Sequence, residues 1–219
     1  MHYNKKYHHL LSIKRGENTL ITKTEIENLI KNGAKEQDIQ KLLKKDLSIF
    51  AEVYANPKDE YICFSEFPIG NTGNVDFVVF THRSTLSIYL IEVKGANFNL
   101  VNQSKLKGST FHADFLKGID QIVRRKSYTQ RCDSEFRKDV HDIRRMVESG
   151  RPQYNSLLCP KSFLNVDPEK PVNVYGVVIG GRRIHDLEES SKRSEWAKSV
   201  NFTLHLESWD SWLDKVTRP

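Results

Sequence analysis

Hydrophobic positions along the chain change period several times, and each change predicts an element. From Thr22 to Leu47 they recur at helical spacing. Ile26, Leu29 and Ile30 share a stripe, and Ile39, Leu42 and Leu43 repeat it after a break at Asn32-Gly33. A short helix follows, with Asp46 as its N-cap, running through Leu47, Phe50 and Val53 to a stop at Asn56-Pro57. The pattern then alternates. Tyr61 to Phe67, Val75 to Phe80 and Leu86 to Lys94 read as three strands, joined by a turn at Gly70–Asn74 and a short connection at Arg83-Ser84. Links this short require antiparallel pairing, because a parallel return needs a crossover of about a dozen residues.

Helical spacing returns at Phe115, Ile119, Ile122 and Val123, giving a helix from Ala113 or Asp114 to the vicinity of Ser127. Phe136, Val140, Ile143, Arg144 and Val147 give another, closed by Gly150 and Pro152. Residues 96–112 read as a polar loop over one edge, and 151–170 as a turn-rich link. Val172 to Ile179 is β-branched and nearly continuous in apolar character, which suits a buried strand ending at Gly180-Gly181. Asp186 to Ser199 reads as a helix, Phe202 to Leu206 as a strand and Trp209 to Val216 as a terminal helix. Trp196, Trp209 and Trp212 are expected to pack in the core. Near the start, Tyr7 to Ile13 reads as a short strand or a frayed end.

Composition narrows the class. The chain has 219 residues, 38% hydrophobic and 28% charged, with 34 basic against 28 acidic side chains. This is a globular composition, long enough to fold without disulfides. No apolar run reaches the length of a membrane span, and the first residues lack the apolar core of a secretory signal. Cys63, Cys132 and Cys159 are odd in number and far apart, which points to a reducing, cytoplasmic setting. The net charge of +6 permits a nucleic-acid partner without requiring one.

The chemistry concentrates at the end of the predicted hairpin strands. Glu92 and Lys94 are two apart on a strand and so project to one face, while Asp76 begins the adjacent antiparallel strand. Val75, Phe77, Leu90, Ile91 and Val93 surround them. Carboxylates buried among such neighbours need a partner or a cation. Magnesium takes oxygen ligands, often one or two carboxylates with water and phosphate, and a nearby lysine offers a compact charge for a developing anion. The plain alternative is a solvated Glu-x-Lys ion pair.

These residues, with their flanking blocks, resemble the PD-(D/E)XK nuclease superfamily and, more closely, the Shedu family of bacterial antiphage defence proteins. The resemblance is carried by Ser65-Glu66-Phe67-Pro68-Ile69-Gly70, Gly73-Asn74-Val75-Asp76-Phe77-Val78-Val79, Ile91-Glu92-Val93-Lys94, Gly118-Ile119-Asp120-Gln121-Ile122 and Tyr175-Gly176-Val177-Val178-Ile179-Gly180-Gly181-Arg182-Arg183. It implies an α/β restriction-endonuclease-like fold, a central mixed sheet flanked by helices, over residues 35–219, with 1–34 as a short N-terminal appendage. It implies that Asp76 and Glu92 bind Mg2+, for which Mn2+ substitutes, and that Lys94 assists attack. Gln121 is implied to face the site from the following helix. Val75 replaces the proline of the superfamily name. The superfamily often adds an acid from the helix before the sheet; Glu66, within the matching block, is preferred here over the helical Glu52. The resemblance also implies a homo-oligomer and leaves room for a regulatory or sensing partner.

Basic clusters are candidate DNA contacts: Arg124 and Arg125 on the helix, and Arg182 and Arg183 after the late strand. His141-Asp142 and His185-Asp186 lack a nucleophile in any hydrolase motif, and no P-loop, zinc finger or helix-turn-helix pattern occurs. The readings are therefore a metal-dependent DNA endonuclease in antiphage defence, a related restriction- or junction-type nuclease, and a catalytically silent nucleic-acid-binding or regulatory module on the same fold.

Overall fold

A computed structural model describes residues 20–56, 59–102, 109–159 and 163–219. The expected strand at Tyr7–Ile13 and the helix stop at Pro57 lie outside them. The first helix, α1 (Lys23–Lys31), starts at a capping box: the Thr22 hydroxyl accepts from Glu25 N–H, and the Glu25 carboxylate accepts from Thr22 N–H. That reciprocal pair satisfies donors the first turn leaves open. Helices α2 (Glu36–Leu43) and α3 (Ser48–Tyr54) follow. Asp46 does not occupy the N-cap of α3; Leu47 does. Asp46 instead accepts from Ser48 N–H at 3.1 Å and from its hydroxyl.

The strands are β1 (Tyr61–Pro68), β2 (Asn74–Thr81), β3 (Ser87–Val93), β4 (Val101–Asn102), β5 (Thr110–Phe111), β6 (Leu157–Cys159), β7 (Asn173–Ile179) and β8 (Leu204–Glu207). Six of them form a sheet in the order β6-β1-β2-β3-β7-β8. Pairing is antiparallel from β6 to β3 and parallel from β3 through β7 to β8. The parallel half requires a long crossover, supplied by α4 (Ala113–Arg131) and α5 (Asp133–Glu148). Helices α6 (Asp186–Ser199) and α7 (Trp209–Leu213) flank β8 in sequence. The chain is thus an α/β fold with a central mixed sheet flanked by helices.

Strand alternation sends the apolar residues to two separate layers. On one face, Phe77, Val79, Ile91 and Val177 pack with Ile26, Ile30, Ile39, Leu43 and Phe50 from α1 to α3, and with Trp209 and Trp212. On the other, Val78, Phe80, Leu90 and Val178 pack with Phe115, Ile119 and Ile122 of α4 and with Phe136 and Val140 of α5. Trp209 and Trp212 are fully buried, and Trp196 is partly buried against the second layer.

Two expectations for irregular segments are corrected. Residues 96–112 are not a plain loop, since Val101 pairs with Phe111 and Asn102 with Thr110 in the β4–β5 ribbon. Buried Val101 and Phe111 anchor it, but two-residue strands are too short to show a period. The link at 151–170 contains β6, an edge strand of three residues paired with Tyr61, Ile62 and Cys63. Among the described residues no helix is long and apolar enough to cross a membrane.

Candidate active site

Strands β2 and β3 pair with Phe77 opposite Ile91, so Asp76 stands opposite Glu92 one step further along. An Asp76 carboxylate oxygen accepts from Val93 N–H at 2.8 Å. Lys94, just past the end of β3, places Nζ 3.0 Å from Glu92 Oε1 and 3.3 Å from Glu36 Oε2 at the start of α2. Arg125 of α4 places Nη1 2.6 Å from Glu92 Oε2, and its Nη2 donates to the Asn74 carbonyl. Glu92 is only 2% exposed, so this is a buried carboxylate held between two cations.

The backbone around Lys94 explains its place. Its N–H donates to the Ile179 carbonyl at 2.7 Å, continuing the β3–β7 ladder. Its carbonyl accepts from Trp209 Nε1 at 2.9 Å, tying the site to the C-terminal layer. The aliphatic stem passes between two glycines. A Cβ on Gly118 of α4 would lie 3.2 Å from Lys94 Cε, and one on Gly180 would lie 2.7 Å from Lys94 Cβ. Glycine at 180 is what lets the chain approach Lys94 this closely, while at 118 an added Cβ would meet Val178 Cγ1 first, at 2.9 Å.

Electrostatics set these groups apart from ordinary surface charges. Burial, with the Glu92 carboxylate opposite, pushes the Asp76 carboxyl up to about 7, although Val93 N–H and Lys94 pull the other way. Burial alone would lower the Lys94 ammonium, but Glu92 and Glu36 outweigh it and hold its pKa above the usual lysine value. Gln121 lies one turn before Arg125 on α4, and its Oε1 is buried without a partner, as is Arg125 Nε. A cleft of about 960 Å³ opens over this region, lined in part by Lys35, Glu36, Lys94, Lys117, Gln121 and Arg124. Asp76 and Glu92 do not line it; Lys94 does, and its ammonium bonds Glu92 behind the cleft wall.

The structure thus brings Asp76, Glu92 and Lys94 together, with Gln121 on the same cleft as Lys94. It does not bring Glu66 to them. Glu66 has a φ of +55°, which turns its side chain into solvent, where it pairs with Lys44 at 2.6 Å. Glu52, the other candidate acid, is bound to Thr217 and Arg218 away from the cleft. The acid that does approach from the helical layer is Glu36, and sequence reasoning missed it. Its one local signal was an acid at the first position of a helix, a pattern that normally reflects only the helix dipole.

The basic candidates divide similarly. Arg124 lines the cleft, and so does Lys35, which sequence reasoning also missed. Arg125 is a correction: its side chain is 6% exposed and serves the interior rather than a DNA-facing surface. Arg182 and Arg183 are both engaged within the chain. Arg182 binds Asp210 at 3.0 Å and the Ile30 carbonyl, and Arg183 binds Asp214 at 3.0 Å, so both tie the chain to the C-terminal layer.

Among the described residues, no group of three His, Cys, Asp or Glu side chains is arranged to hold a metal ion. The donor chemistry still suits a hard cation. The two opposed carboxylates offer oxygen atoms only, and magnesium commonly takes one or two carboxylates while water and phosphate complete its shell.

A family model described as Shedu protein SduA, C-terminal, matches residues 33–213. The chain belongs to the Shedu family. The span matched in this Shedu chain begins after α1 and includes Glu36, Asp76, Glu92, Lys94, Gln121 and Arg125. No curated protein matches the chain. Membership of Shedu supports a nuclease-related function.

Proposed function

We propose that this Shedu chain is a metal-dependent DNA endonuclease of the PD-(D/E)XK type, acting in antiphage defence. The observation that carries the reading is the meeting of Asp76, Glu92 and Lys94 at one end of β2 and β3, beside an open cleft. Asp76 and Glu92 are the residues that would hold Mg2+ or Mn2+. A divalent cation there lowers the pKa of water and offsets charge on a scissile phosphate.

The chain's own residues divide the remaining work. Lys94 is pinned through its backbone by Ile179 and Trp209, so its ammonium is pre-positioned to hold a phosphate oxygen as negative charge develops. Gln121, which lines the cleft with Lys94, is the amide that would orient the attacking water. Lys35 and Arg124 on the cleft wall contact phosphates without reading sequence. Glu36 shares the Lys94 ammonium and keeps it charged at the rim.

A second reading, a silent nucleic-acid-binding module, draws on one observation: both Glu92 oxygens already face cations. The two separate in one assay. Purified protein is incubated with supercoiled, nicked and linear DNA in Mg2+ or Mn2+, and in chelator. The endonuclease reading expects cleavage that chelator abolishes. Binding without cleavage under every metal condition supports the silent module instead.

A further inference from the structure

Arg125 has no task in hydrolysis as assigned to Lys94 and the two carboxylates, yet it is the most enclosed cation of the site. Its Nη1 takes one Glu92 oxygen while Lys94 takes the other, so each oxygen of the buried carboxylate already faces a positive charge. Arg125 is not free to swing away. Its Nη2 is held by the Asn74 carbonyl, its Nε is buried without a partner, and its side chain is 6% exposed. A guanidinium keeps its charge at any ordinary pH. A divalent cation arriving at Glu92 therefore meets a fixed positive charge on the far side of the same carboxylate, in a poorly screened interior. Glu36, the remaining acid near Lys94, stands 40% exposed at the rim and compensates weakly.

We propose that Arg125 keeps the divalent-cation affinity of the DNA-free protein low, so that metal and DNA bind cooperatively and the site is completed only on its substrate. The charge the site lacks is negative, and a backbone phosphate in the cleft supplies it, together with oxygen ligands for the cation. Arg125 is a positioning residue in this scheme, acting through Glu92. Coupling of this kind is reciprocal: whatever factor DNA adds to metal affinity, metal adds to DNA affinity.

The inference rests on the nuclease reading, and its test keeps the two apart. Mn2+ binding is followed by loss of the free-ion EPR signal, with and without a short DNA duplex, and with duplex alone as a control. The parent protein is expected to bind Mn2+ about ten-fold or more tightly once DNA is present. Arg125→Met, checked for folding by its melting curve, is expected to bind Mn2+ about ten-fold more tightly than the parent without DNA, and to show little further gain with it. A merely structural arginine predicts the reverse, a looser metal site in the variant. Arg125→Gln, which retains a donor for the Asn74 carbonyl, repeats the test if Met is not tolerated. Equal Mn2+ affinity of the parent with and without DNA overturns the proposal, and so does a folded Arg125 variant that binds no more tightly. Cleavage in Mn2+ without such coupling sinks this inference alone. Absence of Mn2+ uptake at millimolar concentration in both states sinks it together with the metal-dependent reading.

Discussion

Arg218 and Arg125 are both buried arginines that reach carboxylates from the interior, but their surroundings differ. Arg218 donates from Nε to Glu52 at 2.7 Å, from Nη1 to Asp46 and the Ile21 carbonyl, and from Nη2 to the Ser48 hydroxyl at 3.1 Å. Burial would raise the Glu52 carboxyl, yet hydrogen bonds from Thr217 and Arg218 outweigh it and hold it below its ordinary value. Around Arg125 the outcome is opposite. Its Nε has no partner, Gln121 Oε1 has none, and the Asp76 carboxyl is driven up to about 7. The first cluster is closed and fastens the C-terminus to α3. The second is left open beside a cleft, and its incomplete satisfaction and perturbed carboxyl are what support the proposed nuclease site.

The sharpest way to break this comparison is to remove Lys94. Lys94→Ala is expected to lower DNA cleavage by about 10²–10³-fold while leaving DNA affinity within about two-fold, because the role proposed for the ammonium lies in the transition state. Filter-binding isotherms beside cleavage rates read the split. Equal losses in both would make Lys94 a binding residue.

Arg218→Met probes the closed cluster. It leaves Asp46 and Glu52 buried without their cation and is expected to cost about 3–5 kcal/mol of stability in denaturant melts. Cleavage per folded molecule should not change. A loss of cleavage at full folding would show that the two clusters are coupled.

Asp76→Asn gives a smaller effect with a diagnostic sign. The native carboxyl binds its proton up to about 7, whereas an unfolded aspartate loses it near 3.9. Between those values the native state holds more protons, so parent stability falls as pH rises through the window. The variant has no such loss. It should be more stable than the parent by about 2 kcal/mol at alkaline pH, below the linkage ceiling because Asp76 keeps some contact with water. The advantage should vanish below about pH 4. Urea melts across this range decide, and a constant difference would contradict the electrostatic assignment. The smallest effects belong to the cleft wall. Lys35→Ala and Arg124→Ala should each reduce the slope of log affinity against log salt by about one, whereas Arg182→Ala should leave that slope unchanged.

The legibility of the site followed element length and sequence distance. Strands β1 to β3 and β7 were readable because seven or eight residues of alternation suffice, and that alternation aligned Glu92 with Lys94. Glu66 misled because register does place it across from Asp76, between the pairs Ser65–Phe77 and Phe67–Val75. Only its backbone, at φ +55°, sends the side chain elsewhere, and no residue type announced that. Glu36 was invisible as a partner because it lies 58 residues from Lys94 and the packing of α2 creates the contact. Arg125 was readable in principle. It falls three positions after Ile122, on the buried stripe of α4 with Phe115, Ile119 and Ile122, but its place in Arg124-Arg125-Lys126 made it look like surface charge. The partners of Arg182 and Arg183 were hidden for a related reason, since Asp210 and Asp214 belong to the C-terminal segment.

The measurement that bears most directly on the account is the cleavage of supercoiled DNA in Mg2+ by the parent protein and by Glu92→Ala, purified identically and shown to be folded. Glu92 is the residue on which Lys94, Arg125 and any cation at Asp76 converge. The account expects metal-dependent cleavage by the parent and none above background by the variant. Cleavage by Glu92→Ala at the parental rate would contradict it, and would place the chemistry somewhere other than the end of β2 and β3.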